Sequence, residues 1–272
     1  MFIGSVFSPY YAWSGRDDPE NHVCVNVALY GSPARWAMTE RGRRRVQRTQ
    51  DAFFVGASGI ERDGDGLRIS INERCAPLPL RVQGEVLIRP HAISSLAYPI
   101  DRASEHFWRP ICPSCTIDVR LTQPSLSWRG TGYMDMNWGH RPLERTFSHW
   151  DWMRVDRGAG RSAIFYETEE LGAPGRKLAL SVEADGSASP TKAPERHPLP
   201  STLWRIGRSA WSDGEPAKMI RTLEDAPFYA RTELEVGLRG KRHTAIHESL
   251  SLRRFSNLAV QCLLPFRMPR RA

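Results

Sequence analysis

Short runs of alternating apolar and polar residues, closed by Gly, Pro, Asn or Asp, recur along this chain. Alternation marks half-buried β-strands, because successive side chains leave a strand on opposite faces. It predicts strands at Val23 to Tyr30, Leu67 to Ile71, Arg81 to Ile88, Cys115 to Leu121 and Tyr133 to Trp138. Further runs follow at Phe147 to Val155, Ser162 to Thr168, Lys177 to Val182, Lys218 to Leu223, Tyr229 to Val236 and Thr244 to Leu252. Helical signals are confined to Arg43 to Phe53 and Asn257 to Leu264. Many short strands with Gly/Pro-rich turns predict an all-β protein of sandwich or barrel type. Asp63-Gly64-Asp65-Gly66 reads as a hairpin turn and Ala184 to Pro200 as a surface loop. The natural break is Gly139-His140-Arg141-Pro142-Leu143, giving domains 1–141 and 142–272. Either half can form a barrel of about eight strands around one ligand.

Composition narrows the partners. The 272 residues, 40% hydrophobic and 25% charged, allow an ample core. No run approaches the roughly 18 apolar residues of a membrane-spanning helix. The start, Met1-Phe2-Ile3-Gly4-Ser5-Val6, shows no signal-peptide pattern, and Cys24, Cys75, Cys112, Cys115 and Cys262 suggest no disulfide framework. Both features predict a reducing cytoplasm. The net charge is +8, with Arg41, Arg43, Arg44, Arg45 and Arg48 in one run and Arg267, Arg270 and Arg271 near the end. No nucleic-acid-binding signature accompanies this charge. An anionic membrane surface, where each clustered Arg adds about 1 kcal/mol, is the partner it fits, the alternative being a solvated basic loop.

Chemistry concentrates in Gly130-Thr131-Gly132-Tyr133-Met134-Asp135-Met136-Asn137-Trp138-Gly139. On a strand, Tyr133, Asp135 and Asn137 share one face, and Met134, Met136 and Trp138 the other. An acid between a phenol and an amide is not what a plain core favours. Upstream, His106 and Trp108 repeat the arrangement in His106-Phe107-Trp108-Arg109-Pro110. Two such strands suggest a pocket for acid chemistry on an apolar substrate, against a carboxylate that merely bonds strand-end amides. Phe147-Ser148-His149-Trp150-Asp151-Trp152 supplies a reserve acid in Asp151, with Trp150 and Trp152 read as part of the second core or the domain interface. Cys112-Pro113-Ser114-Cys115 lacks the second ligand pair of a zinc site and leads into a strand, unlike a redox motif. Asp135 with Asp151 or Glu144 is a weak glycosidase pattern.

Several separated blocks resemble the carotenoid 1,2-hydratase family, also called hydroxyneurosporene synthases. They are the run Gly4 to Trp13, Asp18-Pro19-Glu20-Asn21-His22, Asn26 to Gly31, and Arg35 to Gly42. Gly132-Tyr133-Met134-Asp135, Leu223 to Arg231, His247 to Leu252 and Leu264 to Arg270 complete the likeness, which spans essentially the whole chain.

The resemblance implies two lipocalin-like β-barrel domains, the first carrying most of the site. It also implies a cofactor-free, metal-free addition of water to the terminal double bond of an acyclic carotenoid such as neurosporene or lycopene. The family's reactive residues match His106, Trp108, Tyr133 and Asp135. Protonation at C2 and water capture of a tertiary cation at C1 require a positioned acid sheltered from bulk water. Asp135 is the expected acid; Trp108 and Tyr133 are expected to face the cation with their rings, and His106 to activate water or reprotonate Asp135. Tyr10, Tyr11, Trp13, Asn137 and Asp151 are the candidate substrate-binding residues. The expected location is cytoplasmic with peripheral membrane contact. The competing classes are a non-catalytic lipocalin-like carotenoid or lipid binder and a related isoprenoid-protonating cyclase or isomerase.

Overall fold

The computed structural model describes residues 1–271, and strands dominate it, as the alternation requires. The chain forms two compact units. One comprises Met1–Pro90, Cys115–Gly132 and the residues from Gln261 onward; the other comprises His91–Ser114 and Tyr133–Val260. The break expected at 141/142 is therefore not where the chain divides. Strands β1 (His106–Gln123) and β2 (Ser125–Gly139), of 18 and 15 residues, each have one end in either unit. The glycine and proline after residue 138 end a strand without ending a unit.

In the first unit a four-stranded sheet runs Phe2–Ile3, Val23–Leu29, Arg35–Arg41, Arg270–Arg271. A second sheet runs from β2 and β1 through Arg81–Pro90, Gly66–Arg74, Ser58–Asp63 and Ala52–Val55 to Val46–Arg48. Asp63 pairs with Gly66, and Gly64 takes a φ of 60° in the turn, a conformation glycine adopts freely. The helix expected over Arg43 to Phe53 does not form. Arg43–Arg45 make a single 3-10 turn, and Val46–Arg48 pairs with Ala52–Val55 as a hairpin. Val46 and Phe53 pack on the buried Val23, Val25 and Val55, and their β-branched and aromatic side chains suit a pleated surface better than a helix.

The second unit is built on β3 (Phe147–Gly158), β4 (Arg161–Glu170), β5 (Ala173–Val182), β6 (Lys218–Asp225), β7 (Tyr229–Leu238) and β8 (Lys241–Ser251). With Ala188–Pro190 they form an antiparallel sheet ordered Ala188–Pro190, β5, β4, β3, β8, β7, β6. Burial along β7 alternates without a break: Ala230, Thr232, Leu234, Val236 and Leu238 lie inside. They share their face with Met153, Val155 and Phe165, which pack beneath Leu199, Ala210 and Trp211. Arg196–Pro198 pairs with Ser209–Trp211, so short strands replace part of the loop expected over Ala184 to Pro200. Helices α1 (Pro9–Trp13), α2 (Leu252–Phe255) and α3 (Leu258–Arg267) are the α-helical elements, α3 covering the helix expected at Asn257 to Leu264. The all-β class stands. Strand orders run from edge to edge, and no hydrogen-bonded closure into a barrel is found among the described residues.

Candidate active site

Asp135 lies on the half-buried part of β2 in the second unit. Two donors converge on one of its oxygens. Trp108 Nε1–H donates to Asp135 Oδ2 at 2.7 Å, and Tyr133 O–H donates to the same atom at 3.0 Å. The alternation expected of β2 holds: Tyr133 and Asp135 share a face, while Trp138 on the other stacks on Phe107 at 5.4 Å. Burial raises the Asp135 carboxyl above its ordinary range; the Trp108 hydrogen bond opposes this, the Glu248 charge adds to it, and Tyr133 and Arg231 oppose it. The Tyr133 phenol is pushed well up by burial and by Asp135, so it remains a donor.

The Trp108 ring is fully buried, between Tyr98 at 5.9 Å and Tyr166 at 5.8 Å. The Tyr133 ring contacts Trp152 at 5.4 Å and the Arg154 guanidinium at 5.5 Å. The rings expected to face a carbocation are packed among other aromatic rings, and their polar ends bond the Asp135 carboxyl. His106 is also placed differently from its expected role. Its Nε2 lies 3.0 Å from the Arg141 carbonyl, which can only accept, and its Nδ1 faces Asp101 Oδ2 at 3.5 Å. The ring rests against Phe147, and a Cβ at Gly139 would come within 2.4 Å of it. No hydrogen bond or ion pair joins His106 to Asp135 among the described residues. His106 is a buried residue one strand-period before Trp108.

Four further residues lie in one row near Asp135 and its donors. Register aligns Tyr166 on β4, Trp152 on β3, Glu248 on β8 and Arg231 on β7 in one row across one sheet face. Arg231 donates to Glu248 Oε1, with Nε at 2.9 Å. Burial, Asp135 and Glu248 together push the Tyr166 phenol well up. The signals were present: Glu248 lies in the His247-Glu248-Ser249 block, and Trp152 alternates with Asp151.

Asp151 points the other way. Adjacent to Trp152 on β3, it lies on the opposite sheet face, paired with Arg196 and accepting from Ser249, with His149 Nε2 at 3.4 Å and His247 Nε2 at 3.7 Å. Burial pushes its carboxyl up, but the His149 hydrogen bond and the His247 and Arg196 charges outweigh this and hold it below its usual value. Neither reserve acid nor substrate contact beside Asp135 fits that position. A cleft of ≈ 290 Å³ next to His149 is lined by polar groups such as Ser148, Glu169, Arg253 and Arg254; Asp135 is not among them. Its lining suits ions better than a polyene.

Asn137 is exposed two residues beyond Asp135. Tyr10, Tyr11 and Trp13 belong to α1 of the first unit, where Tyr10 packs on Trp13 at 5.5 Å and Tyr11 on His22 at 5.2 Å. Cys112 and Cys115 are buried within β1.

Comparison with known proteins gives this arrangement its context. A family model described as carotenoid hydratase CrtC matches residues 1–272. The chain is 44% identical to the acyclic carotenoid 1,2-hydratase of Rubrivivax gelatinosus, the match covering 100% of this chain and 68% of that protein. It is 37% identical to the Cereibacter sphaeroides protein of the same description, over 99% of this chain and 97% of the relative. Among solved structures, a Nitrosomonas europaea protein assigned to AttH superposes with a TM-score of 0.62 at 11% identity, over 85% of this chain and 80% of that one, a likeness of fold alone.

Proposed function

The chain belongs to the carotenoid hydratase family, and on that premise we propose that it adds water across the terminal C1=C2 bond of an acyclic carotenoid, of neurosporene or lycopene type, with Asp135 as the acid. The observation that carries this reading is the convergence of Trp108 and Tyr133 on Asp135 Oδ2. An indole N–H can only donate, so Oδ2 is kept as an acceptor and Oδ1 carries the transferable proton. Burial raises the Asp135 carboxyl above its ordinary range, which favours the protonated form.

The C1=C2 electron pair takes the proton from Oδ1 and forms the C2–H bond. This leaves a tertiary cation at C1 and a carboxylate on Asp135. Both donors then bond an ionised oxygen, and hydrogen bonds to charged groups are about twice as strong as neutral ones. The stabilisation therefore grows as the barrier is climbed. Water bonds to C1 and loses a proton, giving the 1-hydroxy product. Reactant and product differ by one water with no net redox change, so the reaction needs no redox nucleotide, and in this reading Asp135 supplies the proton.

The same reading places the protein in the cytoplasm, at an anionic membrane surface where so apolar a substrate dissolves. Arg44 and Arg48 are exposed, and α3 presents Leu258, Cys262, Leu263 and Phe266 to solvent beside Arg267. Arg43 contributes less, being tied to Asp18 and Glu20. The deciding experiment incubates the purified protein with detergent-dispersed lycopene or neurosporene, with and without EDTA. A product heavier by one water in both samples is expected. Unchanged pigment mass despite binding would identify a carrier; a product of unaltered mass but shifted spectrum, an isomerase or cyclase.

A further inference from the structure

Hydration consumes one proton at C2 and releases another from the adding water, so a site needs an acceptor as well as a donor. His106 is held by Asp101 and the Arg141 carbonyl. The structure offers a different group. Trp152 and Glu248 are direct cross-strand partners on β3 and β8, so their side chains leave the same sheet face about 5 Å apart at Cβ. Trp152 is only 8% exposed, and its Nε1–H is buried without a hydrogen-bond partner. A buried donor with no acceptor is costly and points to something it is built to hold. Glu248 is ion-paired to Arg231 on β7. The row touches both donors of Asp135: the Trp152 ring meets Tyr133 at 5.4 Å, and the Tyr166 ring meets Trp108 at 5.8 Å.

The two carboxylates have different hydrogen-bond partners: Asp135 accepts from the Trp108 indole and the Tyr133 phenol, whereas Glu248 accepts from the Arg231 guanidinium. A carboxylate held by a guanidinium suits the role of proton acceptor. The titratable and charged groups around Asp135 are Tyr133 on β2, Tyr166 on β4, Glu248 on β8 and Arg231 on β7, with Arg154 of β3 over the Tyr133 ring.

We propose that the attacking water is held between Trp152 Nε1–H and the Glu248 carboxylate, and that Glu248 is the general base. The water oxygen accepts from Trp152 and uses its other lone pair to bond C1. One of its protons passes to Glu248, leaving the neutral alcohol. The proton then passes from Glu248 to the Asp135 carboxylate, and both residues regain their starting states.

This inference rests on Asp135 as the acid, and the test keeps the two apart. Wild type, Asp135→Asn, Glu248→Gln and Trp152→Phe are incubated with lycopene in D2O, and mass spectrometry follows both the alcohol and deuterium at C2 of recovered substrate. Near-ultraviolet circular dichroism checks each fold. In Glu248→Gln the cation still forms but returns a proton to Asp135, so hydration falls about 100-fold or more while deuterium exchange persists. Trp152→Phe falls about tenfold in hydration, also with exchange retained. Asp135→Asn loses both. Wild-type hydration by Glu248→Gln, or loss of exchange together with hydration in that folded variant, overturns the base assignment and leaves Asp135 untouched. Hydration surviving in Asp135→Asn overturns the acid assignment itself.

Discussion

Replacing Trp108 with Phe separates two roles for that residue. If the ring stabilises a cation, Phe retains much of the activity, because a smaller π face remains. The ring, however, is fully buried between Tyr98 and Tyr166, and its N–H lies 2.7 Å from Asp135 Oδ2. The substitution therefore removes a hydrogen bond that strengthens as the acid ionises. Bonds to charged groups contribute about 1.5–3 kcal/mol, and each 1.4 kcal/mol is about tenfold in rate, so kcat falls about 10- to 100-fold. The sign in pH follows as well. The donor holds the Asp135 carboxyl down against burial, so losing it raises the pKa further. The alkaline limb of the kcat profile moves to higher pH while the plateau drops. Tyr133→Phe, which deletes only the hydroxyl at 3.0 Å, shows the same pattern with less disturbance of packing. The assay is chromatographic yield of hydroxylated carotenoid against pH, with thermal unfolding to confirm the fold. Wild-type turnover by Trp108→Phe, or an alkaline limb moved to lower pH, refutes the argument.

Asp135→Asn is expected to stop turnover yet raise Tm at neutral pH. With a raised folded-state pKa, the wild-type protein loses stability as pH climbs from the unfolded value of about 3.9 toward the folded one, so the gain vanishes below about pH 4. A denaturation series across that range checks it. Asp151→Asn is expected to cost about 2–3 kcal/mol of stability, because Asp151 is buried while Arg196 keeps some solvent access, and to leave kcat within a few-fold of wild type. Urea titration beside the hydration assay distinguishes this from a catalytic role. Replacing Leu263 and Phe266 with Ser should weaken binding to anionic liposomes at all salt concentrations, whereas Arg44→Gln with Arg48→Gln should matter only at low salt. Flotation that neither pair alters removes both surfaces from consideration.

The sequence by itself determined the class of fold, because a two-residue period survives whatever packs against it. Tyr229 to Val236 reads as a strand in the sequence and buries alternate residues in the structure. It also marked Tyr133, Asp135, His106 and Trp108 through spacing and family likeness. Pro110 and Pro113 hid the first half of β1, since a missing N–H argues against a strand interior unless the neighbouring pairing is known. The unit boundary was hidden for another reason: long strands that continue through both units leave no mark where the contacts divide. Side-chain roles were beyond the sequence altogether. A strand period says which face a Trp shares with an Asp, but not whether its ring or its N–H meets the acid. Alternation puts Trp152 and Asp151 on opposite faces but cannot tell which of them lies toward Asp135, or that Glu248 lies across from Trp152. Those depend on cross-strand register and on which sheet face meets which, and only the tertiary structure decides them.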